Sequence, residues 1–136
     1  MYPKFRVLIV DDMEDLADVL EEFLRMEWYE VYSTTSPVEA LEMIKKQKYH
    51  IVLSDIVMPE MDGIEFLTKV KQYDALTQVI MMTGYSTMDK TMRCLEAGAN
   101  DYILKPFKNL ALLAEIIKLS EDKLKRWWDN MRGNFA

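Results

Sequence analysis

Short runs of apolar residues alternate with segments of helical periodicity, and this alternation limits the fold of the chain more than any other feature. Four runs cover residues 5–10, 50–54, 79–82 and 102–104, and a weaker one covers 30–32. Unbroken hydrophobicity of this length is typical of strands buried on both faces of a parallel sheet. Because strand and helix alternate five times, the sequence predicts an α/β fold with right-handed crossovers.

The segments between the runs carry helix signals. The apolar residues with helical spacing are Leu16, Val19, Leu20, Phe23 and Leu24 in the first helix, and Val38, Leu41 and Ile44 in the second. A capping box at residues 36–39 predicts the start of the second helix. The fourth is predicted to begin at residues 86–89, led by Ser86, and to end at Gly98, a residue that readily adopts a left-handed conformation.

Composition excludes several classes of function. With 136 residues, 50% hydrophobic and 29% charged, the chain is predicted to be globular. A net charge of −6 argues against nucleic-acid binding, and no apolar stretch approaches the roughly 20 residues that span a bilayer. One cysteine, Cys94, favours a reducing, cytoplasmic location. One histidine, His50, excludes a histidine-rich metal site, so any cation must be held by oxygen atoms.

Polar residues follow the predicted strands at the edge where parallel α/β sheets bind their ligands. These residues are Asp11, Asp12, Asp55, Thr83 and Lys105. Three neighbouring carboxylates repel one another, so we expect a compensating cation, Mg²⁺ or Ca²⁺. A sparse set of about two direct carboxylates with water favours Mg²⁺ waiting for a phosphate. A carboxylate in this setting, with Lys105 and Thr83 opposite, is a candidate nucleophile for phosphoryl transfer. A cis peptide bond before Pro106 would direct Lys105 back toward this edge.

Over residues 4–120 the sequence resembles the receiver domain of two-component response regulators, the CheY-like family. The segments that carry this resemblance are VLIVDD (7–12), SDIVMPEMDG (54–63), MTG (82–84) and GANDYILKPF (98–107). The resemblance implies a flavodoxin-like, doubly wound sheet of five parallel strands in the order 2-1-3-4-5. Residues 58–63, in the second of these segments, are expected to form a rigid turn, with Gly63 supplying a permissive backbone.

The resemblance also implies roles for the acidic residues. Asp55 is the expected phosphoacceptor, which receives a phosphoryl group from a sensor histidine kinase or a phosphotransfer protein. Asp12, Asp55 and the backbone carbonyl of Val57 are the expected Mg²⁺ ligands, with Asp11 acting through water. Such a domain is not an enzyme on an external substrate, because it catalyses only its own phosphorylation and slow autodephosphorylation.

A conformational switch is the expected consequence. Thr83 and Lys105 would hold the phosphoryl oxygens, and Thr83 would draw the 83–87 loop inward and let Tyr102 rotate. The surface formed by the fourth helix, the last strand and the last helix would then signal to a downstream protein partner or output domain. A phosphorylation-linked homodimer is a further expected partner, whereas nucleic acid and membrane are not.

One position departs from the family pattern, and two others lie where the family is variable. Trp28 stands where the family usually has glycine, so it either avoids the left-handed conformation or carries strain of about 1 kcal/mol or more. Val57 and Tyr85 flank the path of the attacking water, and we expect them to slow hydrolysis of the acyl phosphate.

The C-terminal segment is longer than the sheet requires. A helix over about residues 110–131 would measure roughly 33 Å, so we divide the chain into a receiver domain, 1–120, and a helical extension, 121–136. The apolar stripe of this helix consists of Leu113, Ile117, Leu124, Trp128 and Met131. The adjacent Trp127 and Trp128 favour a dimerisation or docking helix, and the alternative is a helix that folds back or frays.

Two other interpretations remain open at this point. The chain is either a stand-alone receiver or the same domain cut from a longer transcriptional regulator whose output domain is absent, since TGYSTMD (83–89) resembles the receivers of transcriptional activators. A phosphohydrolase of the haloacid-dehalogenase type also uses an aspartyl nucleophile. That family needs an Asp-x-Asp pair, whereas Asp11 and Asp12 are adjacent.

Overall fold

The structure is a computed structural model that describes residues 2–84, 87–105 and 110–135, the last three by their backbone. Within these residues five strands and five helices alternate along the chain. They are β1 (Arg6–Val10), α1 (Glu14–Met26), β2 (Glu30–Thr34), α2 (Pro37–Lys46), β3 (Ile51–Asp55), α3 (Gly63–Tyr73), β4 (Gln78–Thr83), α4 (Met88–Glu96), β5 (Asp101–Leu104) and α5 (Leu110–Phe135). No helix among them combines the length and the apolarity needed to cross a bilayer.

The five strands form one parallel sheet in the order β2-β1-β3-β4-β5, which confirms the predicted topology. Val10 of β1 is in register with Ser54 of β3, and Asp55 is in register with Met82 of β4. The carboxyl ends of the central strands therefore lie side by side. This alignment brings the residues that follow the strands to one edge of the sheet.

Alternating side chains divide the core into two layers. Odd-numbered residues of β1, such as Val7 and Ile9, pack with α1 and α5. Even-numbered residues, such as Leu8 and Val10, pack with α2, α3 and α4 on the other face. Both faces of the central strands are buried, which explains why the strands appear in the sequence as continuous apolar runs.

The helix signals were partly right. The Oγ of Ser36 accepts a hydrogen bond from the backbone N–H of Glu39 at 3.1 Å, which confirms the predicted N-cap. The N-cap of α4 is Thr87, which lies within the predicted start at residues 86–89, whereas Ser86 lies outside the described residues. Val19 and Val38 share the helical spacing of their apolar neighbours but are 53% and 45% exposed, so this spacing alone does not place them in the core. Small residues two positions away, Ala17 and Ala40, are buried instead.

The last helix extends to residue 135, beyond the predicted end at Met131. Leu124 is 1% exposed and belongs to the same core layer as Phe5. The ring of Trp128 lies 5.5 Å from the ring of Phe5 and 5.9 Å from that of Tyr2. The described part of the extension therefore continues α5 and packs against its own domain, and of the two tryptophans only Trp127, 53% exposed, faces outward.

Candidate functional site

The residues predicted to form a site meet at the carboxyl edge of the sheet. Asp11 and Asp12 follow β1, Asp55 ends β3, Thr83 ends β4 and Lys105 follows β5. One oxygen atom from each of the three aspartates lies within 4.8 Å of the other two. An all-carboxylate donor set of this size fits a hard divalent cation.

Lys105 bridges two of the three carboxylates. Its Nζ lies 2.5 Å from Oδ2 of Asp11 and 3.1 Å from Oδ2 of Asp55. Its backbone N–H donates to the carbonyl of Thr83 at 2.7 Å, which ties the residue after β5 to the end of β4. Burial opposes the charge on the ammonium, but the hydrogen bonds to both aspartates outweigh burial and raise the pKa of Lys105.

This bridge changes the reasoning about charge. From the sequence we expected a bound ion to offset the repulsion among the carboxylates. In the structure the ammonium of Lys105 pairs with the two buried ones, Asp11 and Asp55, and offsets one of the three negative charges, while Asp12 is exposed. Repulsion alone is therefore a weaker reason for a metal ion than the donor set itself.

Backbone donors fix the orientation of Asp55. Its Oδ1 accepts the N–H of Ile56 at 2.7 Å and that of Val57 at 3.4 Å. Its Oδ2 consequently points toward the ammonium of Lys105. Both carboxylate oxygens therefore contact the protein. The residue is 8% exposed, so it keeps limited access to solvent.

Gly63 packs against the backbone around Asp55. The reason why glycine is needed at this position differs from the predicted one. Its φ is not in the left-handed region, so it does not provide a permissive backbone conformation. Instead its N–H donates to the carbonyl of Ile56 at 2.7 Å, and a Cβ at this position would lie 2.6 Å from Cα of Ile56. The first turn of α3 therefore packs against the backbone around Asp55 only because residue 63 has no side chain.

Asp11 and Asp12 have different environments. Asp11 is 0% exposed, and its Oδ1 accepts the backbone N–H of Met13 at 2.9 Å while its Oδ2 contacts Lys105. Asp12 is exposed. The contact with the N–H of Met13 was not predicted from the sequence, where the only signal was the position of Met13 two residues after Asp11.

Thr83 and Tyr102 lie on one face of the sheet. Thr83 is 1% exposed and is two residues from Met81, the register partner of Tyr102, so their side chains share a face. The hydroxyl of Tyr102 is buried and has no hydrogen-bond partner among the residues that the structure describes. A buried phenol without a partner is unfavourable, which is consistent with a side chain that changes position.

Two predicted features cannot be placed. Tyr85, expected beside the path of water, and Pro106, expected to have a cis bond, both lie outside the described residues. Val57 is 55% exposed, and the role of its carbonyl as a metal ligand stays a prediction.

The fold and the site define the chain as a doubly wound α/β domain with three aspartates and a lysine at the carboxyl edge of its sheet. Comparison with known proteins makes the assignment specific: the chain belongs to the response regulator receiver domain family, whose model matches residues 7–117. This finding decides against the phosphohydrolase alternative.

Individual relatives agree with the family. The chain is 38% identical over 111 residues to the chemotaxis protein CheY of Halobacterium salinarum, covering 82% of this chain and 92% of that one. A CheY-like receiver domain protein from Methanospirillum hungatei has a structure with a TM-score of 0.88 at 35% identity, covering 91% of this chain and 98% of the other. The beryllofluoride-activated NtrC4 receiver domain dimer gives a TM-score of 0.83 at 28% identity, covering 88% and 98%.

Other relatives are longer proteins. The chain is 38% identical over 100 residues to the transcriptional regulatory protein ZraR of Klebsiella oxytoca, covering 74% of this chain but 23% of ZraR. It spans 50% of the uncharacterized transcriptional regulatory protein YkoG of Bacillus subtilis. The similarity to these regulators is thus confined to a part of each.

Proposed function

We propose that Asp55 accepts a phosphoryl group from a phosphohistidine of a sensor histidine kinase or a phosphotransfer protein. A carboxylate oxygen of Asp55 forms the new O–P bond while the N–P bond of the donor breaks, and its electron pair returns to the imidazole nitrogen. The observation that carries this proposal is the orientation of Asp55, with Oδ1 held by backbone N–H groups and Oδ2 beside the ammonium of Lys105.

The proposed metal is Mg²⁺, with Asp12, Asp55 and the carbonyl of Val57 as direct ligands. The exposure of Asp12 supports a direct role, since its carboxylate is accessible to a hydrated ion. Asp11 uses one oxygen for a backbone N–H and the other for Lys105, which supports a role through water. When bound, the ion supplies positive charge that offsets the charge of the phosphoryl oxygens.

Lys105 and Thr83 are proposed to hold the phosphoryl oxygens. Lys105 already carries a stable positive charge at this edge, and Thr83 provides a hydroxyl at the end of the neighbouring strand. Fixed groups of this kind stabilise the developing charge without reorganising during the reaction. Because the acceptor is part of the protein, the domain modifies itself and does not turn over an external substrate.

Phosphorylation is proposed to act on Tyr102 through Thr83, because both side chains lie on one face of the sheet. The adjacent surface is rich in exposed apolar side chains of α4, β5 and α5. These residues are Met88, Met92, Leu95, Leu104, Leu112 and Leu119. A surface of this kind suits a downstream protein partner, an output domain or a second phosphorylated copy.

Two contexts for this activity remain within the proposal. A stand-alone receiver is favoured by the 92% coverage of the CheY of Halobacterium salinarum. A receiver within a longer transcriptional regulator is the second candidate, and the relation to ZraR and YkoG supports it. A cytoplasmic location fits both, since the thiol of Cys94 is free.

NMR spectroscopy of the chain with Mg²⁺ and beryllofluoride, a mimic of the phosphoryl group, tests the site and the switch together. We expect shifts at the amides of Ile56 and Thr83 and at the ring of Tyr102. In Asp55→Asn all these shifts should be lost. In Thr83→Ala the shift at Ile56 should persist while that at Tyr102 disappears. Shifts in wild type that are equal in Asp55→Asn would contradict the proposed acceptor.

A further inference from the structure

The turn after α1 has a residue that its backbone conformation does not favour. Trp28 has a φ of 73°, in the left-handed region. Its N–H donates to the carbonyl of Arg25 at 3.0 Å, and the N–H of Tyr29 donates to that of Leu24 at 3.2 Å. This pair of bonds is a Schellman motif, in which the left-handed position is usually glycine.

The same chain contains a second Schellman motif that uses glycine. After α4, Gly98 has a φ of 101°, its N–H donates to the carbonyl of Leu95 at 3.1 Å, and the N–H of Ala99 donates to that of Cys94 at 2.9 Å. Trp28 thus occupies the position of Gly98 while carrying a Cβ and an indole. It is also 82% exposed, so contacts within the domain do not offset the strain.

Trp28 lines a groove of about 740 Å³. One wall is the N-terminal segment at residues 2–5, and the other is α5. The α5 wall includes the small side chains of Ala111 and Ala114, and the aromatic ring of Tyr29 also lines the groove. The groove therefore has space for a large apolar side chain, and an exposed indole lies next to it.

The charges along the groove are of both signs. Three lysines and three glutamates line it: Lys4, Lys118, Lys125, Glu27, Glu115 and Glu121. Glu121 is already paired with Lys118 and Lys125. Lys4, Glu27 and Glu115 form no ion pair with any residue that the structure describes, and all three are exposed. A two-fold interface must be complementary to itself, which a surface with both charges allows.

Another exposed surface shows the contrast. The outer face of α1 presents Asp15, Asp18 and Glu22, so the same faces of two copies would repel each other.

We propose that the groove is a homodimer interface in which the indole of Trp28 from each copy enters the groove of the other, with Lys4 facing Glu27 or Glu115 across the two-fold axis. This association goes beyond the phosphorylation switch and does not depend on it.

Sedimentation velocity over a concentration series up to the millimolar range tests this interface with the full chain. We expect wild type to form a dimer with rising concentration. Trp28→Gly should stay monomeric at every concentration, and its midpoint of urea unfolding should rise because the strain is relieved. Loss of association together with a gain in stability separates an interface residue from one that the fold requires.

A second variant blocks the groove and retains Trp28. Ala111→Arg changes an exposed residue of the groove wall and should also be monomeric. Leu104→Arg, on the proposed signalling surface, and Asp55→Asn, which cannot be phosphorylated, should dimerise as wild type does. A wild-type chain that is monomeric throughout the series, or a Trp28→Gly variant that associates like wild type, would overturn the proposal.

Discussion

The ammonium of Lys105 lies 2.5 Å from a carboxylate oxygen of Asp11, a residue that is 0% exposed. The same ammonium lies 3.1 Å from Asp55. A buried carboxylate is costly unless it is paired, so this contact couples the stability of the carboxyl edge to the group proposed to bind phosphate.

Lys105→Met should destabilise the fold. Removing the ammonium leaves Asp11 and Asp55 buried without a positive partner, which typically costs about 3–5 kcal/mol. We expect Mg²⁺ to recover more stability in the variant than in wild type, because the ion then supplies the missing charge. Urea unfolding with and without Mg²⁺ measures both effects.

Lys118→Met is the matched control, since Lys118 is 57% exposed and pairs with acidic residues on its own helix. Its unfolding free energy should change by less than about 1 kcal/mol. Equal stability of Lys105→Met and wild type would show that the pair with Asp11 does not stabilise the site.

Gly63→Ala should disturb the site through the backbone. The added methyl would overlap with the main chain of Asp55 and Ile56, which must move to admit it. Overpacking of this kind costs about 1–3 kcal/mol, and we expect reduced phosphoryl acceptance as well. The free energy of unfolding and the rate of phosphorylation by acetyl phosphate report the two effects.

Gly84→Ala provides the comparison for Gly63, because a Cβ there meets no atom of the described residues within 4 Å. It should unfold much as wild type does. If Gly63→Ala were as stable and as active as Gly84→Ala, the close packing behind Asp55 would not matter.

The two adjacent tryptophans of α5 should differ in their contribution to stability. Trp128 packs against Phe5 and Tyr2, so Trp128→Ala should lower the free energy of unfolding by about 2–4 kcal/mol. Trp127 points outward, and Trp127→Ala should change it by less than about 0.5 kcal/mol. Chemical denaturation of both variants tests this, and equal losses would argue against the docked extension.

His50 should make stability depend on pH. It is 6% exposed, its Nδ1 accepts the N–H of Arg6 at 2.9 Å, and its ring lies 4.8 Å from that of Phe5. Burial, with Lys48 and Arg6 nearby, lowers the pKa of His50 to about 4. In the unfolded chain this pKa is about 6.5.

The unfolded chain therefore binds the proton first as the pH falls. The stabilising contribution of neutral His50 is complete above about pH 6.5 and is lost between there and pH 4, by up to about 3 kcal/mol. His50→Asn retains a hydrogen-bond acceptor but does not titrate in this range. Unfolding free energies at pH 7 and pH 4.5 should fall more in wild type than in His50→Asn, and parallel losses would contradict the assignment.

The α/β class and the edge that carries the site could be predicted from the alternation of apolar runs and helical segments, whereas the strand order was predicted from the resemblance to the receiver family. Asp11, Asp12, Asp55 and Lys105 meet there since parallel strands end together. Their pairing could not be predicted, because side-chain geometry decides that Lys105 contacts Asp11 and Asp55.

Other misses have specific physical causes. The close approach of Gly63 to Ile56 depends on how α3 packs, which the local sequence does not encode. Val19 has helical spacing with its neighbours but lies on the flank of α1, where exposure is decided by the direction of the helix over the sheet. The docking of Trp128 against Tyr2 joins two ends of the chain and leaves no local pattern.

Intact-mass spectrometry after incubation with acetyl phosphate and Mg²⁺ tests the central claim most directly. We expect wild type to gain the mass of one phosphoryl group and to lose it on prolonged incubation without donor, whereas Asp55→Asn should gain none. An unchanged mass in wild type, or the same gain in Asp55→Asn, would contradict Asp55 as the phosphoacceptor.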